Sequence, residues 1–133
     1  MTEPRVLTFT GRLRSVGYAL RGIRVMIGSQ QNAWIHAAAT VVVVGLGLTL
    51  RLSLAEWGVI VLAMMAVWTA EALNTACEFL VDLVSPDFHP LAGKAKDVAA
   101  GAVLISAIGS ILIGLLVFGP HLWRAISASR PPA

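Results

Sequence analysis

Charge is what this sequence has least of. Lysine, arginine, aspartate and glutamate make up 13% of its 133 residues, about half the share usual in a soluble domain. With 57% hydrophobic residues and a mean hydropathy of +0.80, that scarcity excludes an ordinary water-solvated domain and makes lipid the expected solvent. Cysteine is reduced to Cys77, which excludes an internal disulfide and reads as a small buried apolar residue. The familiar phosphate loops are absent too. Gly93-Lys94 lacks the upstream glycine and the following Ser/Thr of a P-loop, and Gly45-Leu46-Gly47 lacks the third glycine of a dinucleotide loop. No metalloprotease helix and no nucleophile elbow occurs.

What charge there is lies in particular places. Arg5, Arg12, Arg14, Arg21 and Arg24 all precede the first long apolar run. No nucleic-acid motif or aromatic interleaving accompanies them, so they read as membrane-surface charge, with no nucleic-acid partner expected. The opening segment does not read as a signal peptide, because arginines are scattered through it. Over residues 7–28 the apolar Leu13, Val16, Leu20, Ile23 and Ile27 recur at spacings of three and four. Arg14 and Arg21 fall opposite them, which predicts a basic amphipathic helix lying in the membrane interface.

Three apolar segments follow, at 33–50, 54–84 and 94–118, each long enough to cross a bilayer. Gln30-Gln31-Asn32 separates the surface helix from the first span, and Arg51 ends that span. Ser85-Pro86-Asp87-Phe88-His89-Pro90 predicts a turn, Gly119-Pro120 a helix stop, and residues 124–133 a disordered tail. The expected fold class is all-α integral membrane: one domain over 1–133, with an interfacial helix and three transmembrane helices. Seven basic residues fall on the side of the N-terminus and the Pro86–Lys96 loop; only Arg51, Arg124 and Arg130 fall on the other. The positive-inside rule then puts the N-terminus and that loop in the cytoplasm.

The second span carries the chemistry. Glu71, Asn74, Glu78 and Asp82 project within a sector about 80° wide at 100° per residue. Burying a carboxylate in hydrocarbon costs about 3 kcal/mol even on a lenient scale. Three on one face need partners: basic residues of a neighbouring helix, or a metal and a polar ligand. Pairing with Lys94, Lys96 or the N-terminal arginines accounts for the charge but not for its clustering at one depth. A Mg²⁺ and phosphate site accounts for both, since hard cations take carboxylate oxygens and keep substrate phosphates as ligands. His36 and His121 read as isolated interfacial residues, whereas His89 lies in the turn beside the basic residues.

At these residues the sequence resembles the small bacterial lipid kinases, the prokaryotic diacylglycerol kinases and undecaprenol kinases. The likeness rests on Glu-Ala-Leu-Asn-Thr-Ala-Cys-Glu-Phe-Leu-Val-Asp at 71–82, on Ser-Pro-Asp-Phe-His-Pro at 85–90 continuing to Leu104, and on Gly17-Tyr18 and Gly22. Its details look more like the undecaprenol branch. The resemblance implies a homotrimer of three-span subunits with active sites built between subunits at the cytoplasmic face. It implies that Glu71 is the general base toward the lipid hydroxyl, supported by Asn74, and that Glu78 binds the metal bridging the ATP phosphates. It implies a nucleotide site lined by Tyr18, Asp82, Asp87, Phe88, His89, Lys96 and Asp97, with Ala100 near the lipid. The family usually has a second metal-binding glutamate where this chain has Gln30, and the undecaprenol branch has an arginine where this chain has Trp34. Asn32 and His36 do match the family pattern. The expected function is transfer of the γ-phosphate of MgATP to a membrane lipid, undecaprenol first and diacylglycerol second. A non-catalytic relative that binds lipid or nucleotide is the rival that Gln30 keeps open.

Overall fold

The computed structural model describes residues 9–128. Arg5, the expected helix start at Leu7, and Arg130 with the Pro131-Pro132 end of the tail lie outside them. The described residues form four helices: α1 (Phe9–Ser29), α2 (Gln31–Thr49), α3 (Leu54–Val84) and α4 (Pro90–Ala128). α2, α3 and α4 are each long and apolar enough to cross a membrane.

The solvent-facing surface has the composition that a bilayer demands. Ile105, Ile108, Ile111, Leu112, Leu115 and Leu116 of α4 are all exposed, while the largest fully buried side chain is Glu71. Apolar outside and a carboxylate inside inverts the pattern of a soluble protein, and suits a chain whose ionisable groups must avoid lipid.

Short connections fix the layout. Gln30 alone separates α1 from α2, its backbone extended (φ −112°, ψ 122°), so one residue redirects the chain. α2 ends with the amide of Leu52 on the carbonyl of Gly47 (3.1 Å) and Arg51 in the left-handed region (φ 54°). This is the bond pattern of a Schellman ending, with arginine where glycine is usual. Ser53 and Glu56 then form a capping box that starts α3, satisfying amides at the helix N-terminus that have no intrahelical acceptor. Such a tight turn lays α2 and α3 side by side. A Cβ added at Gly47 would come within 2.7 Å of the Trp57 ring and 3.2 Å of Leu52 Cδ1. Gly47→Val is therefore expected to destabilise by about 1–3 kcal/mol through overpacking, read as a lower melting temperature in detergent.

α4 packs chiefly against α3. Leu52, Ile60 and Phe118 form a buried cluster with Val43, Trp57 and Val117 against it, near the end of α3 remote from Glu71. Two expectations about α4 are corrected. It begins at Pro90, not at Lys94, because Pro90 suits a first helical position and His89 caps it: His89 Nδ1 accepts from the Leu91 amide at 3.2 Å, and its carbonyl from Gly93 at 3.1 Å. Nor does it stop at Gly119-Pro120; it runs through Pro120 to Ala128, so residues 124–128 are helical. Proline removes one helical bond, but the turn beyond is tied back to α3 by His121 Nε2, 2.8 Å from Glu56 Oε1. His121 is thus not an isolated interfacial residue.

Candidate functional site

One face of α3 gathers the polar groups, because spacings of three and four keep them in register along a helix. Glu71 is completely buried, and Asn74 and Thr75 nearly so. Glu78 is held from two sides: its Oε2 accepts from Gln30 Nε2 at 2.7 Å and its Oε1 from Asn74 Nδ2 at 2.9 Å. Gln30 reaches it because the extended residue between α1 and α2 points its side chain at α3. One turn further along, Asp82 Oδ1 meets Lys96 Nζ of α4 at 2.6 Å. That pair is largely exposed, where an ion pair adds little to stability.

Glu71 itself makes no such bonds. Both carboxylate oxygens are buried without a hydrogen-bond partner, as are Asn74 Oδ1 and His36 Nε2. The nearest basic group is His36 of α2, whose Nε2 lies 3.7 Å from Glu71 Oε2. His36 is therefore not an isolated interfacial residue. The sequence-level signal for it was its match, with Asn32, to the family pattern; helical periodicity within α2 carries no hint of a partner on α3. Among the described residues, Asp82 alone of the three acids on the stripe is paired with a lysine or arginine; Glu71 faces His36 and Glu78 is held by amides.

The remaining expected residues lie apart from this cluster. Tyr18 is exposed on α1 with the Arg21 guanidinium 4.7 Å above its ring. Asp87 and Phe88 are exposed in the α3–α4 linker, His89 is engaged in capping α4, and Asp97 and Ala100 are exposed on α4. Among the described residues no hydrogen bond or ion pair joins these six to Gln30, Glu71, Asn74 or Glu78. Beside the stripe, an open apolar groove of about 660 Å³ runs between α3 and α4, lined by Leu62, Met65, Leu73, Cys77 and Ala99, with Asn74 at its polar edge.

Residues 17–118 match the family described as prokaryotic diacylglycerol kinase. The chain belongs to this family. It is 44% identical over 109 residues to an undecaprenol kinase of Bacillus subtilis, covering 82% of this chain and 89% of that protein. It is 39% identical over 111 residues to a diacylglycerol kinase of Synechocystis, covering 83% and 63%. Over 121 residues it is 30% identical to the diacylglycerol kinase of Escherichia coli K12, covering 85% and 93%. The protein is accordingly a membrane lipid kinase, with ATP as its phosphoryl donor.

A lipid kinase needs a cation for the phosphates it moves. Among the described residues no three His, Cys, Asp or Glu side chains converge. The oxygens at hand are the Glu78 carboxylate and the amide oxygens of Asn74 and Gln30, of which Asn74 Oδ1 is buried and unpartnered. One carboxylate with neutral oxygens suits Mg²⁺, which keeps waters and takes phosphates as its other ligands. It suits no all-protein metal cage.

Proposed function

We propose that this kinase transfers the γ-phosphate of MgATP to the hydroxyl of undecaprenol. The observation carrying the reading is the Glu71 carboxylate, fully buried and free of hydrogen bonds beside the Asn74–Glu78–Gln30 cluster. Such a group has no structural duty that a neutral residue could not fill better, and Asn74, one turn along the same face, lines the open groove between α3 and α4.

In this reading Glu71 takes the proton of the lipid hydroxyl as the new O–P bond forms. The bond between the γ-phosphorus and the β–γ bridging oxygen breaks, and ADP leaves. Most of the acceleration in such a transfer comes from position and charge neutralisation. Glu78, with the amide oxygens of Asn74 and Gln30, would hold Mg²⁺, which supplies charge neutralisation at the phosphates when bound. Lys96 and Asp82, with Asp87, Phe88, His89, Asp97 and Tyr18, make up the nucleotide side, and Ala100 faces the lipid. Tyr18, Asp87, Phe88, Asp97 and Ala100 are exposed on one subunit, open to a second copy, and the reading completes the site between the subunits of a homotrimer. α1, basic on one face and with Leu13, Val16 and Leu20 exposed, would lie on the cytoplasmic surface of the bacterial inner membrane.

Undecaprenol is preferred because the undecaprenol kinase relative is matched over 89% of its length at 44% identity; diacylglycerol kinases are matched at 39% and 30%. Purified protein given labelled ATP, excess Mg²⁺ and each lipid in turn should phosphorylate undecaprenol with the higher kcat/KM. A higher value on diacylglycerol would reassign the substrate. No labelled product from either lipid would leave a binding protein that keeps the family fold.

A further inference from the structure

His36 has no part in the chemistry described so far, yet it is the only basic side chain within 4 Å of the Glu71 carboxylate among the described residues. We propose that His36 is the positioning residue for Glu71: its Nε2 fixes one carboxylate oxygen and leaves the other for the lipid hydroxyl. The inference rests on Glu71 being the base.

Three observations carry it. The Nε2 and both carboxylate oxygens are buried and lack other hydrogen-bond partners, so each is the other's available complement. An imidazole nitrogen offers an N–H in the cation and in one neutral tautomer, and a carboxylate can only accept. Their separation of 3.7 Å exceeds a hydrogen bond, as catalytic contacts often do before substrate closes the site.

A second residue of α3 also packs against the ring. Trp68 packs edge-on against it, with centroids 6.3 Å apart and planes at 69°. Trp68 lies three residues before Glu71, so one face of α3 presents both an indole and a carboxylate to the imidazole. The indole is itself anchored to α2: Trp68 Nε1 donates to Thr40 Oγ1 at 3.1 Å, and Thr40 Oγ1 donates to the His36 carbonyl at 2.8 Å. The same residues head an apolar groove of about 340 Å³ between α2, α3 and α4, with Phe118 at its other end. The imidazole thus sits at the boundary between the polar stripe and apolar space, with the nitrogen that faces Glu71 buried.

The test compares His36→Leu, His36→Gln, Glu71→Gln and the double variant His36→Leu/Glu71→Gln in steady-state phosphate transfer. His36→Leu is expected to lower kcat roughly 10–100-fold, the scale of a misplaced catalytic group, with KM for MgATP and lipid changed less than about twofold. His36→Gln, which retains an N–H donor of similar reach, should recover most of the rate. The double variant should be no slower than Glu71→Gln alone, because a residue acting through another adds nothing once that other is gone. Should His36→Leu fail to fold, His36→Asn, polar but too short to reach Glu71, is expected to show the same loss. Wild-type kcat in His36→Leu beside a crippled Glu71→Gln would overturn the role of His36 and leave the base in place. Wild-type kcat in Glu71→Gln would remove the base and this proposal with it. A loss that appears in melting temperature and KM, unrescued by His36→Gln, would make the histidine a packing residue only.

Discussion

Glu71→Gln is expected to slow phosphate transfer by about 10²–10⁴-fold, the usual contribution of a general base, while the protein keeps its fold and its affinity for MgATP. The first half follows from the proton: glutamine cannot accept it from the lipid hydroxyl. The second half follows from the surroundings. The carboxylate is completely buried and accepts no hydrogen bond from any described residue, so it is a charge held at a cost that a neutral amide of the same shape does not incur. Glu71→Gln should therefore melt at the wild-type temperature or above it. A catalytic group destabilising its own site is the expected trade between stability and activity. The paired measurement is labelled-phosphate transfer together with thermal unfolding in detergent. A variant that loses activity because it no longer assembles would make the stripe structural.

How far this could be read from the sequence divides along a physical line. Three apolar spans follow from composition, because a bilayer sets a minimum length for any helix that crosses it. The common face of Glu71, Asn74, Glu78 and Asp82 follows from the fixed angular step of a helix. The partners do not follow, since they depend on how helices pack. Nothing in the sequence around His36 states that it meets Glu71, and nothing around His121 states that it meets Glu56. The bond between Glu56 and Ser53 is local, a spacing of three residues, whereas the contact of Glu56 with His121 depends on how two helices pack. Proline was the least reliable guide. Pro90 marks the start of α4 and Pro120 lies within it, since a missing N–H is harmless at the first position and is tolerated further on when neighbours secure the turn.

Glu78→Gln is expected to have the second large effect, about a thousandfold loss of transfer, from several kcal/mol of charge stabilisation at the phosphates. It removes the one carboxylate of the Gln30–Asn74–Glu78 cluster, and three amides together bring no charge to a cation. Loss of Mn²⁺ binding, followed by the spectrum of the free ion, separates this from a defect in lipid handling. The reverse change tests Gln30. In this chain its amide N–H donates to Glu78 at 2.7 Å, so the carboxylate is met by a hydrogen-bond donor at the position where the family resemblance implies a second acid. Gln30→Glu would set two carboxylates face to face. They repel each other alone and attract a shared cation strongly, so half-saturation by Mg²⁺ should fall about tenfold, the effect of roughly 1.4 kcal/mol. The exchange Gln30→Glu with Glu78→Gln keeps a single carboxylate and moves it across the cluster. If one negative charge near the phosphates is what matters, the exchanged protein should recover part of the rate that Glu78→Gln loses. Coincident Mg²⁺ titrations for Gln30→Glu and the natural chain would show that residue 30 does not touch the cation, leaving its amide the narrower task of holding Glu78 in place from the α1–α2 break.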